Sequence, residues 1–402
     1  MQGQDVATEV ESPPGTPERP PRRRRWGRWG TRLAVTACVG WLLLVVGHVA
    51  LSGRTFVWGQ IDLLPPIVFA AMPVLLAVVA LVTRPVRWRL TAVCAAALLL
   101  GAGYSGINVA TLWYSPPPAG PGAITLVTWN TMYWDQDMIS DGAKTTDDFY
   151  AYLRGLDADV YMLHEYAHVD FTPADIFSQV QPIDQLDLLQ RTFPGYEIAV
   201  AGRNVTLSRF PVVASKGLDS TPWLPEEFRA VPAAMRDHAA FYNSQTLRTD
   251  VRLPGKVVSF YNSHLYQPPS RLLSLSGDRS RGRVETDRFN DSMRKASLRA
   301  LTQDMDANSQ PVVFGGDLNT TPAMGIRRLL PDQLVDHTRA LPSLYPTTWA
   351  VGGANSERKF GAPLWRIDWL LSTADVTVHR YEFVDPEGLS DHRPQRVVLS
   401  TD

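Results

Sequence analysis

Three apolar runs in the first 112 residues restrict the architecture of this chain more than any other feature. Leu33 to Leu51, Leu63 to Val82 and Leu90 to Leu112 contain no charged residue, and each has about the 20 residues that carry a helix across a bilayer core. One such run alone is compatible with a signal peptide or a buried core helix. Three in succession argue for three transmembrane helices. Trp29, Trp58, Trp88 and Trp113 lie near the ends of the runs, where indole rings favour the headgroup layer. No small-residue cleavage site follows the first run, so the chain is expected to stay anchored in the lipid bilayer through three helices. His48, inside the first run, is expected near the interface or against a neighbouring helix rather than in a proton relay.

The total charge of -1 over 402 residues conceals a segregation. Residues 1–32 carry +3, residues 33–112 carry +3, and the remainder carries -7. The first block is rich in Pro and Arg with almost no aliphatic content and reads as a disordered tail. Arg22 to Arg25, Arg28 and Arg32 precede the first run, and Arg84, Arg87 and Arg89 fill the second loop. The positive-inside bias then makes tail and second loop cytoplasmic, and three crossings deliver everything after Leu112 to the extracytoplasmic side. Pro116 to Pro118, with Gly120 and Gly122, read as a short linker over 113–122, leaving one soluble domain at 123–402. Two cysteines, Cys38 and Cys94, exclude a disulfide framework. An acidic soluble domain is a poor electrostatic partner for duplex DNA.

Beyond the linker the apolar runs become short and β-rich. Ala123 to Trp129 ends in Asn130, Asp159 to His164 in Glu165, Lys256 to Ser263 in His264, and Pro311 to Gly316 in Asp317, with Asn319 two residues on. Two later strands reverse the arrangement, with Asp368 near the start of RIDWLLS and Asp391-His392 just before RPQRVVLS. If these polar groups share one edge, the last strands run antiparallel to earlier ones, favouring a mixed sheet sandwich over a doubly wound sheet. Pro254-Gly255 divides two β-like runs as a hairpin turn would. Helices are expected at Thr146 to Leu156 and Asp287 to Asn308, where Phe289, Met293, Ala296, Ala300 and Met305 recur at helical spacing.

In order, TWN (128–130), HEY (164–166), LSRFP (207–211), NSHL (262–265), GDLNTTP (316–322), RIDWLLS (366–372) and SDHRP (390–394) resemble the motif series of the endonuclease/exonuclease/phosphatase superfamily, typified by deoxyribonuclease I. The resemblance covers essentially all of 123–402. It implies an α+β fold, a four-layer αββα sandwich, that hydrolyses phosphoester bonds with a divalent metal, magnesium or alternatively manganese. Glu165 matches the metal-binding carboxylate, with Asn130 and Asp391 completing the metal environment; oxygen ligands suit magnesium. Asp317 matches the residue that aligns or deprotonates the attacking water, and Asn319 an amide bonding phosphate or water. His392 is expected to contact them with Asp368 orienting its ring. His264 matches a phosphate-contacting group or general acid, for which no supporting carboxylate is identifiable. LSRFP implies a substrate-side or structural role for Arg209, with a solvated strand-end charge as the alternative reading. His164 stands where the family often has Gln, and with His168, His238, His337 and His379 it is expected to be an ordinary polar or surface residue.

The implied activity is that of a membrane-anchored, extracytoplasmic phosphodiesterase. A lipid headgroup or small phosphoester is favoured over duplex DNA as substrate. An exported nuclease and a catalytically silent binding domain are the alternatives. The Arg- and Lys-rich stretch from Arg271 to Arg299 is either a basic groove or, more commonly for such runs, a solvated face.

Overall fold

The computed structural model describes residues 22–83, 86–139, 142–170, 172, 179–269, 281–349 and 363–401. Most of the expected tail (1–21) and residues 271–280 of the basic stretch lie outside them.

The three apolar runs form helices α1 (Arg22–Leu51), α2 (Val68–Val82) and α3 (Arg87–Gly101). Among the described residues, only α1 contains a segment long and apolar enough to cross a membrane, Trp29–Leu51; a second is reached only if the 3-10 helix Val57–Leu63 and α2, bent by 74°, count as one span. This corrects the expectation of three full spans. The second run is broken by Pro65-Pro66, which cannot donate to a continuing helix. In the third, α3 ends at Gly101, short 3-10 turns follow, and Gly106 turns the chain at φ +73°. A helix of 15 residues rises about 22 Å, short of a hydrocarbon core of about 30 Å. Residues 22–32, expected to belong to the disordered tail, are helical.

The helices nevertheless form one bundle. Ala34 and Cys38 of α1 meet Ala80 near the end of α2 and Leu90 and Cys94 near the start of α3. Val45, late in α1, meets Phe69 at the start of α2. Helix α2 therefore runs opposite to α1 and α3 along it. Outward faces are apolar: Leu33, Val82 and Leu99 are 73%, 81% and 81% exposed.

The remainder is built on two six-stranded sheets. In spatial order the first contains β13 (Val376–Phe383), β14 (Gln395–Thr401), β1 (Ile124–Asn130), β2 (Val160–His164), β6 (Asn204–Ser208) and β5 (Glu197–Ala201). The second contains β11 (Val335–Asp336), β12 (Asp368–Ser372), β10 (Val312–Asp317), β9 (Lys256–His264), β8 (Ser244–Leu253) and β7 (Val212–Asp219). A small pair, β3 (Ala167–Val169) and β4 (Val180–Pro182), lies apart. Strand alternation sends Leu126, Met162, Phe260, Val313 and Leu370 into the core between the sheets. The other faces carry Val127, Tyr161 and Val205 onto Phe149 and Leu153 of the helix Thr146–Gly155. Opposite, Tyr261, Phe314 and Trp369 pack on Leu298, Leu301 and Met305 of the helix Arg281–Asp306. This is the expected αββα sandwich. Each such buried Leu or Phe contributes roughly 1.5–3 kcal/mol. The first helix starts where Thr145 and Asp148 close a reciprocal capping box.

Register gathers the polar strand ends. Asn130 pairs with His164 across parallel β1 and β2. Asp317 lies between His264 on parallel β9 and Asp368 on antiparallel β12.

Helix bundle and sandwich are in direct contact. His48 Nε2 donates to the Ala323 carbonyl at 2.7 Å, while His48 Nδ1 accepts from Trp58 Nε1 at 3.1 Å, so one tautomer satisfies both bonds. The Gly325 N–H donates to Ser52 Oγ at 2.7 Å, and Arg328 Nη1 to the Ser52 carbonyl at 2.8 Å. Asn108 donates through Nδ2 to the carbonyls of Thr338, Leu341 and Ser343.

Candidate active site

Each sheet supplies one side of a polar cleft. From the first come Asn130 at the end of β1 and Glu165 just past β2; from the second come His264, Asp317 and Asp368 in one row. Glu165 and Asn319 adopt left-handed φ values of +63° and +46°, which cost a non-glycine residue on the order of 1 kcal/mol or more. Specific bonds hold both: the Tyr133 N–H donates to Glu165 Oε2 at 2.9 Å, and the Asn319 N–H to Asp317 Oδ1 at 2.8 Å. Gly316 is at φ +139°, and a Cβ there would lie 2.0 Å from the Ser263 carbonyl oxygen and 2.6 Å from His164 Nε2. Only glycine admits the chain this close to both.

Asp317 is the hub. Its Oδ2 accepts from Asn130 Nδ2 at 3.0 Å and Asn319 Nδ2 at 3.3 Å, and lies 3.6 Å from His264 Nε2 and 3.8 Å from His392 Nε2. Asn130 Nδ2 also donates to Glu165 Oε1 at 3.3 Å, which is 3.6 Å from His264 Nε2. His392 Nδ1 faces Asp368 Oδ2 at 3.0 Å, and Asp391 Oδ1 lies 3.9 Å from His392 Nε2.

Burial and charge set the protonation pattern. Burial pushes the Asp317 carboxyl up, to about 7, with Asp368 adding to the rise and the His392 imidazolium opposing it. Burial also raises Glu165, against Arg203 and His392. For His392, burial favours the neutral ring, but Asp368, Asp317 and Asp391 outweigh it and hold its pKa well above 6.5. Burial, joined by Arg203, His164 and His392, drives His264 well below 6.5. These shifts favour the protonated ring at His392 and the neutral ring at His264.

A model of the endonuclease/exonuclease/phosphatase family matches residues 139–392. The chain belongs to the endonuclease/exonuclease/phosphatase family. Members are usually hydrolases acting on phosphoester bonds, with phosphatases and nucleases among them, and membership supports a phosphoesterase activity. Among solved structures, the chain is similar to a family member from Bacteroides vulgatus (16% identity, TM-score 0.46, covering 70% of this chain and 99% of that one). It is also similar to one from Beutenbergia cavernae (20%, 0.42, 69% and 72%). A third is a mannosyl-6-phosphatase from Bacteroides thetaiotaomicron (15%, 0.43, 69% and 99%). No curated protein matches the chain.

Of the site residues expected from sequence, this family member brings together Asn130, Glu165, His264, Asp317, Asn319, Asp368, Asp391 and His392. Arg209 is not with them. Strand β6 runs antiparallel to β2, pairing Asn204 with His164 at the cleft and Ser208 with Val160 at the opposite edge. Arg209 follows Ser208 and is ion-paired with Asp157 and Asp159. The substrate-side assignment of Arg209 is therefore corrected. His164 is neither exposed nor peripheral: it is fully buried. His337 is buried as well, against Ser372 Oγ at 2.7 Å. Arg294, from the basic stretch, is buried and donates to the Tyr266 carbonyl and Thr320 Oγ1.

Arg203 was not legible as a site residue. It lies in the β5–β6 turn, donates to Gln245 Oε1 at 3.1 Å, and acts electrostatically on Glu165 and His264. Nothing in AGRN marks it; only the pairing of Asn204 with His164 reveals its position.

The donor chemistry fits a divalent metal. Glu165, Asp317, Asp368 and Asp391 surround His264 and His392 with no Cys among them, and such oxygen donors suit a hard divalent cation. Among the described residues, the group whose donor atoms all lie within 4.8 Å of one another is Asp317, Asp368 and His392. It differs from the expected set of Glu165, Asn130 and Asp391. Asp368 and His392 already bond each other.

Proposed function

We propose that this family member is a divalent-metal-dependent phosphodiesterase, held at the extracytoplasmic face of a membrane by its helix bundle. The observation that carries the reading is the arrangement about Asp317 Oδ2, a buried carboxyl oxygen flanked by two amides and by the His264 and His392 rings. Glu165 and Asp391, with Asn130 beside them, would hold the metal, which when bound neutralises phosphate charge and favours attack by water. Asp317, with its raised pKa, accepts a proton from that water. Asp368 keeps the proton on His392 and turns Nε2 toward the cleft, where it donates to a phosphate oxygen. Neutral His264 and the Asn319 side chain orient phosphate or water; as the water oxygen bonds phosphorus, the P–O bond to the leaving group breaks and the leaving oxygen takes a proton from solvent.

The topology reading rests on α1. Ala323 and Gly325 bind His48 and Ser52 at the C-terminal end of the candidate span. Because α2 and α3 run in opposite directions, the catalytic domain stays on that side whether or not they cross fully. Exposed apolar faces on all three helices support contact with lipid. Ala323 is four residues from Asn319, a reach of about 14 Å at most, so a membrane-borne or envelope phosphoester suits the site better than duplex DNA.

The test uses the full chain in detergent micelles with bis(p-nitrophenyl) phosphate, phospholipids, phosphomonoesters and single- and double-stranded DNA. Hydrolysis that needs magnesium or manganese and stops with chelator is expected. A folded chain inactive on the whole panel with either metal overturns the enzyme reading. A C-terminal reporter that is active only when exported reads the topology, and a cytoplasmic signal overturns that part.

A further inference from the structure

Two tryptophans connect the helix bundle to Asp391. Trp349 Nε1 donates to Asp391 Oδ2 at 2.9 Å. The Trp349 main chain bridges those of Trp365 and His392. The Trp349 and Trp365 rings meet edge to face, centroids 5.6 Å apart. Trp365 Nε1 in turn donates at 3.3 Å to the carbonyl of Leu63, in the turn between α1 and α2. The Leu63 side chain packs on the cluster that contains Leu318 and Trp369. A continuous path of bonded or touching groups therefore runs from the bundle, through two rings, to a carboxylate at the edge of the cleft.

The chemistry of the indole suits this place. Its N–H donates and accepts nothing, so it fixes one oxygen of Asp391 without presenting a competing ligand. The Asp391 side chain is one quarter exposed, and without a fixed partner such a carboxylate exchanges rotamers with water. Bonded through Oδ2, it turns Oδ1 toward His392 Nε2. Groups that orient metal ligands from behind typically change metal affinity 10–100-fold when removed.

We propose that Trp349 is a positioning residue for Asp391, and that the helix bundle sets Trp349 through Trp365. Residues 33–112 are then a support of the active site as well as an anchor. The inference rests on the reading of Asp391 as part of a metal environment.

The experiment measures Mn2+ binding to the full-length protein in micelles, without substrate, from loss of the free-ion electron paramagnetic resonance signal. Metal-dependent turnover of bis(p-nitrophenyl) phosphate is followed in parallel. Trp349→Phe keeps the ring and removes the donor, and is expected to weaken Mn2+ binding by about tenfold. Trp365→Phe keeps the edge-to-face contact and loses only the bond to Leu63; about threefold is expected, the scale of one neutral hydrogen bond. The double variant should bind no more weakly than Trp349→Phe alone, because the second residue acts through the first. Trp349→His, which retains a ring N–H, should recover part of the affinity. Wild-type binding by Trp349→Phe, or single effects that multiply in the double variant, overturns the proposal while leaving the metal-dependent reading intact. A wild-type chain that binds no Mn2+ and turns over no phosphoester overturns both. If Trp349→Phe fails to fold, Trp365→Phe decides: unchanged Mn2+ binding there removes the bundle from the site.

Discussion

His392 Nδ1 lies 3.0 Å from Asp368 Oδ2, and the His392 carbonyl accepts from Trp129 Nε1 at 3.0 Å. Ring and main chain are thus fixed independently, by strand β12 and strand β1. Asp368→Asn removes the negative charge that keeps the imidazolium protonated. Turnover should fall by about 10²-fold or more, the scale of a lost general acid–base contribution. Because Asp368 raises the His392 pKa, its loss lowers that pKa, and the alkaline limb of the rate profile should move to lower pH. An unmoved limb means His392 is not the group that titrates.

Arg203 and Arg209 form a matched pair for testing placement. Arg203→Gln removes the cation that acts on Glu165 and His264. It should raise KM for an anionic phosphoester severalfold, with the effect shrinking in high salt. Arg209→Gln breaks partly exposed ion pairs at the opposite edge, which contribute little to stability. It should leave kcat/KM unchanged and melting nearly so. Steady-state kinetics on the two variants separate the positions.

His337 reports on acid stability without touching the cleft. Burial lowers its pKa to about 4, with Asp336 opposing and Arg339 assisting. The folded pKa lies below the unfolded value near 6.5, so the unfolded chain binds more protons between them. Stability should decline as pH falls from about 6.5 to 4, by at most about 3 kcal/mol from this residue. His337→Gln should show a smaller drop in melting temperature from pH 7 to pH 5 than wild type. An identical drop assigns the sensitivity to other groups.

Gly316→Ala sets a Cβ against the Ser263 carbonyl and the His164 ring. Backbone strain at φ +139° and the collision act together, and the variant should lose about 3 kcal/mol or more, or fail to accumulate folded. Thermal melting measures the cost. A melting point near wild type would mean that β9 and β10 separate more easily than their packing suggests.

Much of the fold was legible because its signals are local. Short β-rich runs ending in Asn130, His264 and Asp317, the Pro254-Gly255 turn between β8 and β9, and the periodic helix through Met293 and Met305 each report a few neighbouring residues. The reversed position of Asp368 already required an antiparallel strand, and β12 is antiparallel to β10. The same locality explains the misses. An apolar run scores alike whether it crosses a bilayer or stops at Pro65-Pro66 or Gly101, so three spans were expected where one helix is long enough. His164 looks like any polar residue beside a motif until the second sheet closes over it.

The sequence by itself determined which elements form and which side chains their ends carry, because helix and strand periodicity, proline and glycine act over a few residues. Only the tertiary structure decided which ends meet. Strand direction put Arg209 at one edge and Arg203 at the other. Sheet pairing laid His264, Asp317 and Asp368 side by side. Contacts across 275 residues seated His48 on Ala323. Hydrogen-bond register and packing between distant segments depend on the whole folded chain, and no local pattern encodes them.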